Sequence, residues 1–425
     1  MGIPFLSQIH LNGGSSGVNA YDIFGNSDED INTTIRNKIF ELSDKDYFSV
    51  TQQMEIINFG WLAKNKIYFS GGIYEEFDFI LYFPRDLAIL AWEGNRDYLN
   101  YEYDLSHLST TGDLLSVYHF GANKQINDKL TVGVRGKLYS SILSYKSTNN
   151  RGTFVNVLGD EDSPNIYEHK LQNVAVSIET SGFTSLQDLN GPAELGSKLV
   201  RRAMFGGNLG IGVDIGATYD VTDNITASAS VLDLGAIYHT KDVETYTLKS
   251  DYTLDGIELL FPALLDGQNP PQYFEDLEDE IEIEIPLDTL YNSYAQFRPT
   301  KINASLAYSF GRSIDGSGNC NCKRPNGATI RNQQVGIQYY SIFRPRGPQL
   351  AGTLFYSRRF TDFLAVKATY TVDSFSTRNI GFGIVADIGA LNFYLAADNL
   401  LSYQNLAKAN SISLQLGFNI KIYRE

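Results

Sequence analysis

Apolar and small polar residues alternate strictly through residues 207–221 of this chain. Every second position from Leu209 to Val221 is apolar or aromatic, and the positions between them hold glycine, aspartate and threonine. Residues 222–224, Thr-Asp-Asn, supply turn chemistry, and the alternation resumes from Ile225 to Val231. Because a period of two is typical of a strand with two different faces, this segment predicts a β-hairpin.

The small side chains on the polar face decide between two kinds of protein in which this hairpin could lie. A soluble β-sandwich packs its apolar face in a core and exposes large charged residues on the other face. A transmembrane β-barrel instead turns aliphatic residues to lipid and small polar residues to its lumen. Since Gly, Ser, Thr and Asp fill the second face here, the pattern favours a membrane barrel over the sandwich.

The same alternation recurs along the chain and predicts about fourteen strands. The segments that follow it are 3–11, 48–61, 67–79, 113–125, 130–142, 207–221, 225–231, 301–310, 334–342, 350–357, 364–372, 379–388, 391–398 and 411–422. A local alternation around Val174 is placed outside the barrel because its surroundings are loop-like. No linker or composition break divides residues 1–425, so the predicted fold is all-β, a single transmembrane antiparallel β-barrel.

The connections of a closed antiparallel barrel alternate between its two ends, which here puts short turns at one end and long insertions at the other, with the long cysteine loop as the exception on the short-turn side. Short turns are predicted at Asn65, Asp128, Asp223, Asp362 and Gly389. Long insertions are predicted near 14–46, 81–112, 146–206 and 241–299. We expect the long insertions to be extracellular loops, the first and last strands to pair, and both termini to lie in the periplasm.

Composition agrees with a barrel and argues against several other classes. The 425 residues include 27 Tyr and 25 Phe, which favour strands and suit the aromatic girdles at two membrane interfaces. No run approaches the roughly 20 apolar residues of a spanning helix. Acidic residues outnumber basic ones by 49 to 34, so a nucleic-acid partner is not expected. The start, MGIPFLSQIHLNGG, has no export signal, and we expect that a precursor carried one.

Four stretches resemble a family of Bacteroidota outer-membrane barrels of unknown function. They are YFPRDLAILAWEGN, INDKLTVGVRGKLYS, VTDNITASASVLDLG and FYLAADNLLSYQN. That family is distantly similar to the PorP/SprF proteins of the type IX secretion system and, in fold, to FadL-like fatty-acid channels. The resemblance implies a location in the bacterial outer membrane, and it provides no catalytic residues.

Several cationic residues are expected to point into the lumen. Arg135 and Lys137 on one predicted strand and Lys367 on another would lie opposite lumenal acids such as Asp214. Such residues can select a passing solute. The favoured interpretation is that these cations and the lumenal acids pair with each other and close the lumen.

Two features in the predicted connections have weaker functional interpretations. An acidic run consists of Glu275, Asp276, Glu278, Asp279, Glu280, Glu282 and Glu284. It lacks the ligand order of an EF-hand and is interpreted as a solvated extracellular face rather than a cation site. Cys320 and Cys322 could form a local disulfide, remain free thiols or bond to a partner, and no metal or cofactor is predicted.

The sequence therefore predicts a non-enzymatic outer-membrane barrel in contact with lipids and with other outer-membrane or surface proteins. No Ser-His-Asp order and no matched pair of catalytic carboxylates stands out. The first hypothesis is a subunit of a complex for secretion or outer-membrane protein assembly. The alternative is a passive channel or a FadL-like transporter for small or hydrophobic solutes.

Overall fold

The computed structural model of the chain describes residues 1–25, 29–159, 166–187, 189, 191–254, 288–314 and 330–422. Its strands are β1 Ile9–Ser15, β2 Tyr47–Leu62, β3 Ile67–Tyr82, β4 Glu102–Asp104, β5 Thr110–Gln125, β6 Leu130–Ser147, β7 Arg151–Leu158, β8 Tyr167–Ser181, β9 Asn208–Asp220, β10 Ile225–His239, β11 Val243–Leu254, β12 Asp288–Leu290, β13 Tyr294–Phe297, β14 Lys301–Ile314, β15 Ile330–Arg344, β16 Gly347–Arg359, β17 Leu364–Asp373, β18 Asn379–Ile388, β19 Leu391–Asp398 and β20 Ser411–Ile420. Its α-helices are α1 Ala20–Phe24, α2 Ile31–Glu41, α3 Arg85–Glu93, α4 Thr184–Gln187 and α5 Pro192–Arg201. None of the described helices is long and apolar enough to cross a membrane.

Fourteen of these strands form one closed antiparallel barrel, which confirms the predicted fold class. Their order around the wall is β1, β2, β3, β5, β6, β9, β10, β14, β15, β16, β17, β18, β19 and β20. Ile9 of β1 lies opposite Met54 of β2 and opposite Leu416 of β20. The first and last strands therefore pair and close the wall, as predicted.

The first strand begins later than its apolar spacing predicts. Residues 3–7 form a turn, in which the Leu6 amide donates to the Ile3 carbonyl oxygen at 3.0 Å and Phe5 has a φ of 61°. A positive φ at a residue such as phenylalanine is incompatible with regular strand geometry outside a bulge. The predicted strand over 3–11 was wrong at its start, and β1 occupies Ile9–Ser15 instead.

The hairpin of β9 and β10 shows how the wall separates its two faces. Ile211 and Ile215 are 63% and 47% exposed on the outside, whereas Asp214 between them is 6% exposed and lies in the lumen. Apolar side chains on the outside of a closed barrel have lipid as their natural environment. The alternation in the sequence is thus the alternation between lipid and lumen.

The two ends of the barrel differ in their connections. At one end, here called the short-turn rim, brief turns join β2 to β3, β5 to β6, β9 to β10, β16 to β17 and β18 to β19. On the outer surface near this rim, the rings of Phe59, Trp61, Phe69 and Phe120 pack together with centroid distances of 5.4 to 6.1 Å. Such an aromatic cluster is typical of the membrane interface of a bacterial outer-membrane barrel.

The opposite end, the long-loop rim, carries an accessory sheet of β4, β7, β8, β11 and β12. Strand β8 pairs with the wall at one end, where Glu179–Ser181 lies opposite Ser144–Lys146 of β6. The segment around Val174 therefore belongs to the accessory sheet and not to the wall. Leu105, Leu171, Val174 and Leu248 form a small apolar core beneath this sheet.

Candidate functional site in the lumen

Opposite walls of the barrel meet through a pair of charged side chains. Glu76 and Asp78 lie on the inward face of β3, because this face alternates with the outward Phe77 and Phe79. Arg344 of β15 donates two hydrogen bonds to the Asp78 carboxylate, at 2.5 and 2.8 Å. Since β5, β6, β9, β10 and β14 stand between β3 and β15, this bidentate pair crosses the lumen.

Arg298, just before β14, continues the contact across the lumen. Its guanidinium donates to Glu76 Oε1 at 2.8 Å and to Asp113 Oδ2 of β5 at 3.1 Å. The Gln296 amide also donates to Asp113, at 3.0 Å. The Arg298 side chain is 1% exposed, so its charge is compensated by these partners and not by water.

Asp233 occupies a bulge in β10 and is the centre of the next group of ion pairs. Its carboxylate accepts from Lys137 Nζ at 2.5 Å, from Lys301 Nζ at 3.0 Å and from the Tyr139 hydroxyl at 3.1 Å. Its φ is 59°, a left-handed conformation that aspartate tolerates better than most residues. The bulge shifts the pairing of β9 and β10 after Val231 and turns the Asp233 side chain into the lumen.

Two of the three predicted lumenal cations lie beside Asp214. Lys137 Nζ is 2.9 Å from the Asp214 carboxylate, and the half-exposed Arg135 is 3.9 Å from it. The Asp214 carboxylate also accepts a hydrogen bond from the Asp233 amide at 2.9 Å. Lys367 lies elsewhere, on β17, where it donates to the Gln338 side chain at 3.2 Å.

Together these side chains form what we name the charge network. Its members are Glu76, Asp78, Asp113, Asp214, Asp233, Arg135, Lys137, Arg298, Lys301 and Arg344. Carboxylates and cations are equal in number, so the formal charges cancel. Sequence reasoning found only three of these residues, although the alternation of Glu76 and Asp78 with outward phenylalanines was a usable signal for two more.

A cavity of about 460 Å³ lies on one side of the charge network. Glu76, Asp78, Lys301 and Arg344 line it where the network ends. Hydroxyl, amide and carboxylate side chains line most of the remainder, among them Ser49, Thr51, Gln53, Gln349, Thr353, Thr371, Asp373, Asn379, Asp398 and Ser413. The aromatic rings of Tyr47 and Phe375, in edge contact at 5.3 Å, also border the cavity.

A second cavity of about 360 Å³ lies on the side of the network nearer the short-turn rim. Arg135 and Asp214 line it at the network. Most of its other inward residues are small, and they include Ser70, Gly121, Thr131, Gly133, Gly216, Thr218, Ser228 and Ser230. Among the described residues, none lines both cavities. The charge network therefore separates two polar chambers of the lumen.

Two predicted features fall outside the described residues. They are the acidic run from Glu275 to Glu284 and the pair Cys320 and Cys322. Within the described part of the chain, no three His, Cys, Asp or Glu side chains are grouped to hold a metal ion.

Several solved structures resemble this chain over nearly its whole length. The toluene transporter TbuX of Ralstonia pickettii is 10% identical, with 98% of this chain and 90% of that chain covered at a TM-score of 0.41. The toluene transporter TodX of Pseudomonas putida is also 10% identical, with 98% and 89% covered at 0.41. A FadL homologue of Pseudomonas aeruginosa is 10% identical, with 97% and 88% covered at 0.38. Similarity at this level carries no argument about cargo.

Two further comparisons concern the sequence itself. No curated protein matches it. A model of a family of unknown function, DUF5723, matches residues 1–398.

Proposed function

The chain belongs to the DUF5723 family, whose function is unknown. From the lining of its lumen, we propose that the protein transports a small polar solute across the outer membrane. The observation that carries this proposal is the pair of polar cavities on either side of the charge network. Volumes of about 460 and 360 Å³ lie in the range of small-molecule sites. A solute would occupy the first chamber, pass the network when its ion pairs part, and leave through the second.

The lining of the larger cavity supports a polar solute. Hydroxyl and amide groups can exchange hydrogen bonds with a solute in place of water. Asp373 and Asp398 lie on the wall facing the charge network and add negative charge to that side. A neutral or cationic polyhydroxylated compound suits this lining better than an aromatic hydrocarbon, which would leave the polar groups without partners.

The two rims support a direction for transport. Long connections of outer-membrane barrels face the exterior and short turns face the periplasm. We therefore place the accessory sheet outside the cell and both chain termini in the periplasm. In this orientation the larger cavity lies above the second along the path from the exterior.

Reconstitution tests this proposal directly. The purified protein is placed in liposomes, and the rate of liposome swelling is measured with sugars, polyols and amino sugars of graded size. The uptake of toluene is measured separately. Arg344→Gln shortens the side chain that bridges to Asp78, so we expect faster swelling than with the wild type. Arg346→Gln is the matched control, because Arg346 lies at the rim beside Asp44 and outside the network.

Three outcomes decide the matter. Flux of polar solutes that rises in Arg344→Gln and not in Arg346→Gln supports the proposal. Uptake of toluene faster than by protein-free liposomes, without polar flux, would replace it with a hydrophobic cargo. Absence of flux in both the wild type and Arg344→Gln, with folding verified by heat-modifiable mobility on gels, contradicts transport.

A role as a subunit of an outer-membrane complex is a second candidate, favoured by one observation. The accessory sheet of β4, β7, β8, β11 and β12 stands beyond the wall and offers a surface for a partner. Extraction in a mild detergent followed by size measurement tests this role. A barrel that migrates alone, with no co-purifying protein, argues against it.

A further inference from the structure

Helix α5 is followed by a wide turn, Arg202–Gly206, that packs on the outside of the barrel. The Phe205 ring stacks on the Tyr118 ring with a centroid distance of 4.2 Å. The Tyr118 hydroxyl donates to the Ala203 carbonyl oxygen at 3.0 Å. Tyr118 is on the outward face of β5, because its neighbour Val117 is fully buried on the lumenal side.

Three hydrogen bonds hold this turn in place. The Ser140 hydroxyl of β6 donates to the Arg202 carbonyl oxygen at 2.6 Å. The Arg202 guanidinium donates to the Gly182 carbonyl oxygen and to the Asp242 carboxylate, each at 2.6 Å. The turn is therefore tied both to the wall and to the base of the accessory sheet.

The helix has one apolar and one charged side. At 100° per residue, Ala193, Leu195, Gly196, Leu199 and Val200 fall within one half of the helix, and Glu194, Ser197, Lys198 and Arg201 fall within the other. Val200 is 60% exposed, and Met204 in the turn is 68% exposed. The apolar half thus has little protein against it.

We propose that this apolar half of α5, together with Met204 and Phe205, inserts into the membrane leaflet next to the long-loop rim. The argument is continuity with the lipid-facing wall. Phe205 rests on Tyr118, and exposed apolar side chains of the adjacent outer wall, Leu138 and Leu209, continue the same surface. An amphipathic helix of this composition lies in the interface with its apolar side in the acyl chains and its charged side at the headgroups.

The insertion has a mechanical consequence for the accessory sheet. Arg202 links the turn to Asp242, which directly precedes β11. The Lys198 amino group donates to the Ser185 carbonyl oxygen in the segment that leaves β8. Lipid contact at α5 would therefore hold the accessory sheet at a fixed distance from the membrane surface.

Site-specific fluorescence tests the proposal in the full chain. In a Cys320→Ser, Cys322→Ser background, single cysteines replace Val200, Met204 or the charged-side control Ser197, and each is labelled with an environment-sensitive dye. The labelled proteins are reconstituted in phosphatidylcholine vesicles. We expect a nitroxide on the acyl chains to quench the dyes at 200 and 204 by about twofold or more over the dye at 197. Aqueous iodide should show the reverse order.

Equal quenching at positions 200 and 197 by both quenchers overturns the proposal. So does strong iodide quenching at 200 and 204, which would show that this face lies in water and not in the acyl chains. Heat-modifiable mobility of each labelled variant verifies that the barrel is folded, so loss of signal through unfolding is distinguished from either result.

Discussion

Arg344 and Asp78 are 266 positions apart in the sequence, yet they form a bidentate hydrogen-bonded pair across the lumen. Both side chains are almost fully buried. An ion pair removed from water contributes little over an apolar pair, but the loss of one partner leaves an uncompensated charge. The pair therefore fixes how the walls meet more than it stabilises them.

Loss of one partner should be much more costly than loss of both. Arg344→Gln leaves Asp78 without its cation, and we expect the free energy of unfolding to fall by about 3 to 5 kcal/mol. Urea titration of the protein in lipid vesicles measures this change. The double variant Asp78→Leu, Arg344→Leu should recover most of the loss. The rim variant Arg346→Gln should change the free energy of unfolding by no more than about 1 kcal/mol. An equal loss of stability in Arg344→Gln and Arg346→Gln would contradict the prediction.

Asp233 combines a charge with an unusual backbone conformation, and three variants separate the two. Asp233→Asn keeps a residue that tolerates positive φ and removes the attraction for Lys137 and Lys301. Asp233→Gly also accepts the conformation, whereas Asp233→Ala adds a steric penalty of about 1 to 2 kcal/mol. We expect Ala to be less stable than Gly by that amount in urea titration. Equal stability of the two would show that the bulge relaxes when the carboxylate is removed.

The lipid-facing wall makes a prediction that does not involve the lumen. Leu306 on β14 is 46% exposed on the outer face, opposite Ile337 of β15. Leu306→Arg places a cation in the acyl-chain region and should lower stability by about 2 to 4 kcal/mol in vesicles. Tyr291→Arg is the control, because Tyr291 is 73% exposed between β12 and β13. A similar cost in both variants would argue against a lipid-facing β14.

Acid should loosen the accessory sheet through His169. Its ring stacks on Phe154 at 5.8 Å, and burial lowers the pKa of His169 below its ordinary value of 6.5. The unfolded sheet then binds a proton at His169 more readily than the folded one. The contribution of neutral His169 to the stability of the sheet is therefore fully present above about pH 6.5 and is lost as the pH drops toward the folded pKa. After correction for the intrinsic pH dependence of amide exchange, the protection of β7 and β8 amides from hydrogen exchange should be lower at pH 5 than at pH 7.5. His169→Phe should abolish this loss of protection, and an unchanged loss would assign it to another group.

Local pattern was sufficient for the wall, because lipid and lumen impose alternation on each strand separately. Strand β9, and β10 as far as Val231, satisfy that rule residue by residue, and Asp214 faces inward. The rule failed at residues 3–7, where apolar spacing continues but Phe5 adopts a positive φ. It also misplaced strand ends such as 113–125 for β5, because the strand continues to Thr110 beyond the alternating part.

The charge network could not be predicted in the same way, because its contacts join distant strands. Arg298 reaches Glu76 over a separation of 222 positions, and alternation carries no information about which strands face each other across a lumen. Asp233 did leave a signal, since the run Val231-Leu232-Asp233-Leu234 breaks the alternation at the bulge. That signal indicates an irregular strand and not the lysines that the carboxylate binds.

The pairing of β1 with β20 makes folding depend on the whole chain. Ile9 of β1 pairs with Leu416 of β20, so the strand pair that closes the barrel joins the two wall strands that are farthest apart in the sequence. This pair can form only after the other wall strands are in place. A chain that ends before Ser411 would leave β1 and β19 as two unpaired edges, each able to recruit a strand from another molecule. Premature termination near the carboxyl terminus is therefore expected to cause aggregation of the nascent barrel rather than a slightly smaller pore.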